Sequence, residues 1–128
     1  MSKVVLDASA VLAIINKEPG AEVVEQYLDD AAISSANLSE IVAKLVEKGL
    51  SEALIRELVE ELELEVVDVD EAQAIAAGIL RLTTKPLGLS LGDRLCIALG
   101  KRLDKPIITT DRQWEKLDVD GVEVRLAR

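Results

Sequence analysis

The stretch that decides the fold is Lys3-Val-Val-Leu-Asp-Ala-Ser-Ala-Val-Leu-Ala-Ile-Ile-Asn16. A short apolar run ends abruptly at Asp7, and an apolar helical segment, Ala8 to Asn16, follows at once. A strand apolar throughout, rather than alternating, suits the centre of a parallel sheet covered on both faces. The same unit recurs along the chain. Glu18-Pro19-Gly20 breaks the first helix, and Ala21 to Asp29 reads as a second. Ala31 to Ser34 is a candidate strand. Asn37 to Lys48 is a helix with Leu38, Ile41, Val42, Leu45 and Val46 along one stripe, closed by Gly49. Ser51 caps a helix to about Leu62. Glu65 to Asp68 reads as a strand, Glu71 to Leu82 as a helix and Thr83 to Leu89 as a loop. Ser90 to Leu103 is the last long helix, Pro106 to Thr109 a strand and Asp111 to Lys116 a short helix. Val122 to Leu126 alternates, as an edge strand wetted on one face does. Strand and helices alternating in this way predict an α/β three-layer sandwich on a parallel sheet.

At 128 residues, nearly half of them apolar, the chain is expected to form a single domain over 1–128 with a proper core. Aromatic residues are almost absent, so Leu, Ile, Val and Ala must fill that core. The longest apolar run, Ala74 to Leu80, falls far short of the ~20 residues of a membrane span. The first residues meet an acid at Asp7 without a signal-peptide pattern, so a cytoplasmic location is expected.

Histidine is absent and Cys96 is the only cysteine. These counts exclude a Ser-His-Asp triad, a Cys-His pair, an intrachain disulfide and a Cys/His zinc site. Any catalysis must rest on carboxylates, hydroxyls, Lys, Arg or a metal held by oxygen. The net charge of −9 counts against a nucleic-acid partner, because phosphate contacts use Lys and Arg. A bound metal would offset part of a concentrated negative site, and an acidic surface suits a basic protein partner.

Four acids stand at the points where this fold places ligands. Asp7 and Asp111 each follow a strand, and Glu40 and Asp93 are each expected in the first turn of a long helix. Each also has a local explanation as a cap: Asp7 and Asp111 at N-cap positions, Asn37-Leu-Ser-Glu40 and Ser90-Leu-Gly-Asp93 at capping-box spacing. In a parallel α/β sheet, however, all strand-to-helix junctions share the carboxyl edge, where ligands bind at the reversal of strand order. Neighbouring strands lie ~4.8 Å apart, close enough for their carboxylates to share a cation. Clustered carboxylates repel one another unless a cation intervenes, and an all-oxygen set favours Mg²⁺ or Mn²⁺. The residues alone thus leave two readings open: helix caps, or a metal-dependent phosphoryl-transfer or hydrolase site.

Val4-Val-Leu-Asp-Ala-Ser-Ala10 resembles the opening strand of PIN-domain proteins. Asn37-Leu-Ser-Glu-Ile-Val42, Leu89-Ser-Leu-Gly-Asp-Arg-Leu-Cys-Ile-Ala98 and Ile108-Thr-Thr-Asp-Arg-Gln-Trp114 resemble their later motifs, in the same order. The Gly-Asp-Arg and Thr-Thr-Asp-Arg-x-Trp stretches look most like the VapC branch, the toxins of toxin–antitoxin pairs. The resemblance covers essentially the whole chain. It implies a five-stranded parallel sheet, a Mg²⁺- or Mn²⁺-dependent endoribonuclease, an RNA substrate, a homodimer and a cognate antitoxin. It also implies that Asp7, Glu40, Asp93 and Asp111 form the metal site and act in catalysis, with Thr110 and Ser9 as hydroxyls beside it. Arg94 and Arg112 directly follow two of the acids, and are expected to contact the scissile phosphate or pair with a carboxylate. Glu115 reads as a solvated helix residue, Cys96 as core, and Trp114 as packing rather than a base-stacking platform. A phosphatase of the aspartyl-nucleophile type would want a second Asp where Ser9 stands. A receiver-type phosphoacceptor would want a Lys at the carboxyl end of a strand, whereas Lys105 begins one. A non-catalytic binding module is the remaining alternative.

Overall fold

The structure, a computed structural model, describes residues 2–128. Its five strands are β1 (Val4–Leu6), β2 (Ala31–Ser34), β3 (Glu65–Val67), β4 (Ile107–Thr109) and β5 (Val124–Leu126). All are parallel, in the order β3-β2-β1-β4-β5. The helices are α1 (Ala8–Ile15), α2 (Ala21–Glu25), α3 (Ser35–Glu47), α4 (Glu52–Leu62), α5 (Glu71–Ile79), α6 (Arg81–Thr84) and α7 (Leu91–Leu103). The expected sandwich on a five-stranded parallel sheet is the architecture observed.

The pleat explains the two cores. Val4 and Leu6 face one side with Ile33 and Ile108, packing against Val11, Ile41, Leu45 and Ile55. Val5 and Ile107 face the other, against Ala77, Leu95, Leu99 and Trp114. Both faces of β1 are therefore covered, which is why its residues are apolar without alternation. Strands β3 and β5 lie at the edges and are partly exposed.

Some boundaries differ from expectation, several for a local reason. The helix expected over Ala21 to Asp29 stops at Glu25 and gives way to a 3₁₀ turn, Leu28–Asp30. The Asp30 carbonyl accepts the Lys3 N–H at 2.7 Å, so the chain must already be turning into the sheet there. Helix α3 starts at Ser35, because the Ser34 side chain accepts the Ala36 N–H and caps it. Asn37 is therefore a helix residue and not a cap, and Glu40 stands in the second turn rather than the first. The helix expected to reach Leu82 ends at Ile79. Helix α6 follows almost at once, and in it the Thr83 and Thr84 hydroxyls join the Thr84 N–H on the Leu80 carbonyl, at 3.2, 2.8 and 3.0 Å. The loop expected after it is largely helical: α6, then a 3₁₀ turn over Lys85–Leu87 closed by Gly88 at φ +65°. The segment after Asp111 is a 3₁₀ helix, Arg112–Lys116. Strand β5 begins only at Val124, because the Val122 N–H turns back to the Val119 carbonyl.

Candidate active site

From β1 the chain steps outward to β2 and β3, then returns to the other side of β1 for β4 and β5. Strand order thus reverses between β1 and β4, and the crevice at their carboxyl ends is where such sheets take ligands. Asp7 follows β1 there, and Asp111 stands two residues beyond β4.

Asp7 is buried, 4% exposed. Its Oδ1 accepts from Ser9 Oγ at 2.6 Å and from the Ala10 N–H at 3.0 Å, and its Oδ2 accepts from Thr109 Oγ1 at 2.8 Å. Thr109 Oγ1 in turn accepts the Asp111 N–H at 3.0 Å. Ser9 Oγ lies 3.2 Å from Thr109 Oγ1 and accepts the Thr110 N–H at 3.1 Å. Two hydroxyls, from Ser9 and Thr109, therefore tie the ends of β1 and β4 together and orient the Asp7 carboxyl. The threonine that bonds Asp7 is Thr109, which the sequence did not single out; Thr110 stands next to it and donates its backbone N–H to Ser9 Oγ. Register is the reason. Val5 pairs with Ile107 and Leu6 with Ile108, so the next step along both strands sets Asp7 beside Thr109. No sequence pattern states that pairing. Burial raises the Asp7 pKa from 3.8 to about 6; the Ser9 and Thr109 hydroxyls and the Ala10 N–H oppose the rise, and the charge of Asp93 adds to it.

Asp93 lies in the first turn of α7. Its Oδ2 accepts the Ser90 N–H at 2.9 Å, and its own N–H donates to Ser90 Oγ at 3.2 Å, completing a capping box. Asp111 caps the 3₁₀ helix after it, accepting the Gln113 N–H at 3.0 Å. Three of the four acids thus do cap helices. Glu40 does not: its Oε1 accepts from Asn37 Nδ2 at 2.7 Å. The same Asn37 amide donates to the Gly92 carbonyl at 3.1 Å, one residue before Asp93.

Cys96 lies beneath these acids. Burial chiefly, and then the charges of Asp7, Asp93 and Glu40, raise its thiol well above the ordinary range, so it stays protonated and inert. Asp7, Glu40 and Asp93 thus all lie near enough to Cys96 to act on its thiol, and Asp111 is tied to Asp7 through Thr109. As the side chains stand, no three acids among the described residues are close enough to ligate a single ion. The donor chemistry nonetheless fits a hard divalent cation. All four candidate donors are carboxylates, and among the described residues none of the four forms a salt bridge. One of them is buried with its pKa raised, as an uncompensated carboxylate must be.

The basic residues divide. Arg94 donates to the Ala77 carbonyl at 3.1 Å, so it fastens α7 to α5 instead of offering a free guanidinium beside Asp93. Arg112 is exposed directly after Asp111. Arg128, which sequence reasoning missed, donates to the Thr110 carbonyl at 3.2 Å and so sits at the same edge of the sheet. It lies just past β5, a position whose meaning depends on β5 pairing beside β4. Trp114 is 1% exposed and packs in the core, and Glu115 is exposed. Among the described residues no helix is long and apolar enough to cross a membrane.

A family model for the PIN domain matches residues 4–120. A VapC ribonuclease of Mycobacterium bovis is 26% identical over 125 residues, spanning 90% of this chain and 95% of that protein. The structure is similar to DNA-bound VapBC from Salmonella typhimurium, with a TM-score of 0.76 and 24% identity over the full length of both chains. VapBC2 from Rickettsia felis, bound to a DNA fragment from its promoter, gives a TM-score of 0.74 at 18% identity, covering 96% of this chain and 97% of that one.

Proposed function

The chain belongs to the PIN-domain family, and on that premise we propose that it is a metal-dependent endoribonuclease, the toxin of a toxin–antitoxin pair. The observation that carries this reading is the set of carboxylates at the carboxyl edge of the sheet, none of which forms a salt bridge among the described residues, with Asp7 buried and its pKa raised to about 6. The VapC ribonuclease name of the M. bovis relative supports the substrate class.

Asp7 and Asp111 would hold the principal Mg²⁺ or Mn²⁺, with Glu40 and Asp93 completing the site directly or through water. A divalent ion bound there supplies a Lewis acid for the charge that develops on phosphate oxygens, and lowers the pKa of water. Ser9 and Thr109 fix both oxygens of the Asp7 carboxyl, so it need not reorient during the reaction. Arg112, exposed next to Asp111, would approach a phosphate, where the net charge of −9 otherwise discourages RNA. Lys105 precedes β4, at the opposite edge of the sheet, and Ser9 stands where an aspartyl phosphatase needs its second acid, so neither phosphotransfer rival is supported.

Partner surfaces follow the same reading. An apolar groove of about 830 Å³ between α3 and α4, lined by Leu38, Val42, Val46, Ile55 and Val59 with Glu60 and the Arg56–Glu52 ion pair at its edge, suits an apolar antitoxin segment. A second copy of the chain would cover the exposed Ile75, Ile79 and Leu82 on α5 and α6.

The test is cleavage of RNA by the purified chain with Mg²⁺ or Mn²⁺, with EDTA, and after Asp93→Asn. Asparagine can still accept the Ser90 N–H, so the cap survives while the charge is lost. Cleavage is expected with metal alone. Undiminished cleavage in EDTA or by the variant overturns the proposal. If the acids serve only as caps, Mn²⁺ titration finds no binding above background.

A further inference from the structure

We propose that Asn37 is a positioning residue that, together with Gly92, latches the Glu40 carboxylate to the start of α7 and so sets it against Asp93. The inference rests on the metal-site reading above and assigns a role to two residues outside the four acids.

Asn37 is 1% exposed. Its amide nitrogen makes two bonds, to Glu40 Oε1 at 2.7 Å and to the Gly92 carbonyl at 3.1 Å. The first joins it to an acid on its own helix, and the second crosses to α7. Its Oδ1 is buried and accepts from no protein group. Turning the amide over would aim that oxygen at a carboxylate and a carbonyl, two acceptors, so only the observed orientation is tenable. An unmet buried acceptor is costly. It is tolerated here because the other end of the amide has two negative or electron-rich partners that need a donor.

Gly92 completes the latch from the opposite side. A Cβ at this position would stand 2.5 Å from Glu40 Oε2 and 2.6 Å from its Cδ. The carboxylate thus occupies the space a side chain would fill. Glu40 is held from one side by a donor and received on the other by a glycine, and Asp93 is the next residue. The three-residue spacing of Asn37 and Glu40 would mean nothing if α3 and α7 were not packed together; the latch exists only across that helix pair. Residues that orient the ligands of a metal site affect affinity by ~10–100-fold when removed.

Mn²⁺ binding by the purified full chain, followed by titration calorimetry and by the Mn²⁺ electron paramagnetic resonance signal, tests this apart from any catalytic assay. The variants are Asn37→Ala, Gly92→Ala, Glu40→Ala and the double variant Asn37→Ala/Glu40→Ala, each checked for folding by circular dichroism. Asn37→Ala and Gly92→Ala are each expected to weaken Mn²⁺ by about tenfold or more. In the Glu40→Ala background, Asn37→Ala is expected to cost nothing further, because nothing is left to position. A structural role alone predicts equal losses in both backgrounds. Should Asn37→Ala fail to fold, Gly92→Ala decides: the three atoms nearest its new methyl all belong to the flexible end of Glu40, so the carboxylate is what must move. Wild-type affinity in a folded Asn37→Ala or Gly92→Ala chain, or the same loss in both backgrounds, overturns the latch while leaving the metal site standing. No Mn²⁺ binding by the unaltered chain overturns the metal-site reading and the latch together.

Discussion

Burial of Asp7 at the end of β1 holds its carboxyl at about 6 instead of 3.8, with desolvation the leading cause. The folded chain therefore keeps a proton that the unfolded chain gives up. Because the folded pKa is the higher one, this contribution to stability is fully present below pH 3.8 and is lost as pH rises through about 6. At 1.36 kcal/mol per pH unit the effect is at most about 3 kcal/mol. In EDTA, Asp7→Asn is expected to be more stable than the unaltered chain at pH 7.5, by urea unfolding, with the difference shrinking as pH falls from 6 towards 4. Equal stabilities at pH 7.5 would show that the carboxylate is not penalised. Proton competition gives the matching expectation for metal: Mn²⁺ affinity should rise with pH up to about 6 and then level off. A residue that weakens the bare fold is thus the one the proposed function needs most. Much of this was legible in the chain. The placement of Asp7 after an apolar run, and the absence of histidine, pointed to it. Thr109 and Asn37 were not legible as site residues, because each acquires its role from a strand or helix distant in sequence.

At the level of elements, a glycine sets how closely α7 packs on β4. Gly100 of α7 faces Ile107 of β4, and a Cβ there would lie 2.6 Å from Ile107 Cγ1. Gly100→Ala is expected to force helix and strand apart and to cost about 1–3 kcal/mol, as overpacking does. Gly78 of α5 offers the contrast, since nothing lies within 4 Å of its missing Cβ. Gly78→Ala should stabilise by about 0.5–1 kcal/mol through helix propensity alone. Urea unfolding of both variants checks the pair, and the same sign for both would refute the packing argument. The two glycines look alike in the sequence, each inside a helical stretch. Only the neighbouring strand distinguishes them. Helix boundaries divide in the same way. Ser90 and Ser51 announced their caps, with side chains that accept from Asp93 and Leu54. The break between α5, which ends at Ile79, and α6, which begins at Arg81, falls inside one periodic stretch, and periodicity does not report it.

For the whole molecule, the exposed apolar residues are unevenly spread. Ile79 and Leu82 are 72% and 84% exposed, and Ile75 and Leu91 more than half exposed, on α5, α6 or the start of α7; Val46, also more than half exposed, belongs to the α3–α4 groove. Exposed apolar side chains gathered in one region mark an interaction surface more often than scattered ones do. The proposed homodimer is expected to bury them: light scattering should give twice the chain mass, and Ile79→Glu with Leu82→Glu should reduce it to one. A monomer before substitution would leave this face to another partner.

The local order of the chain determined the fold class, the parallel sheet and the four acids, because apolar runs, breaks and caps act within a few residues. Tertiary structure decided the rest. Strand order set β1 beside β4, register chose Thr109 over Thr110, and the packing of α3 on α7 gave Glu40 its two holders. Those outcomes depend on which distant elements meet and at what offset. That choice is settled by the burial of both sheet faces at once, and no short stretch of sequence contains it.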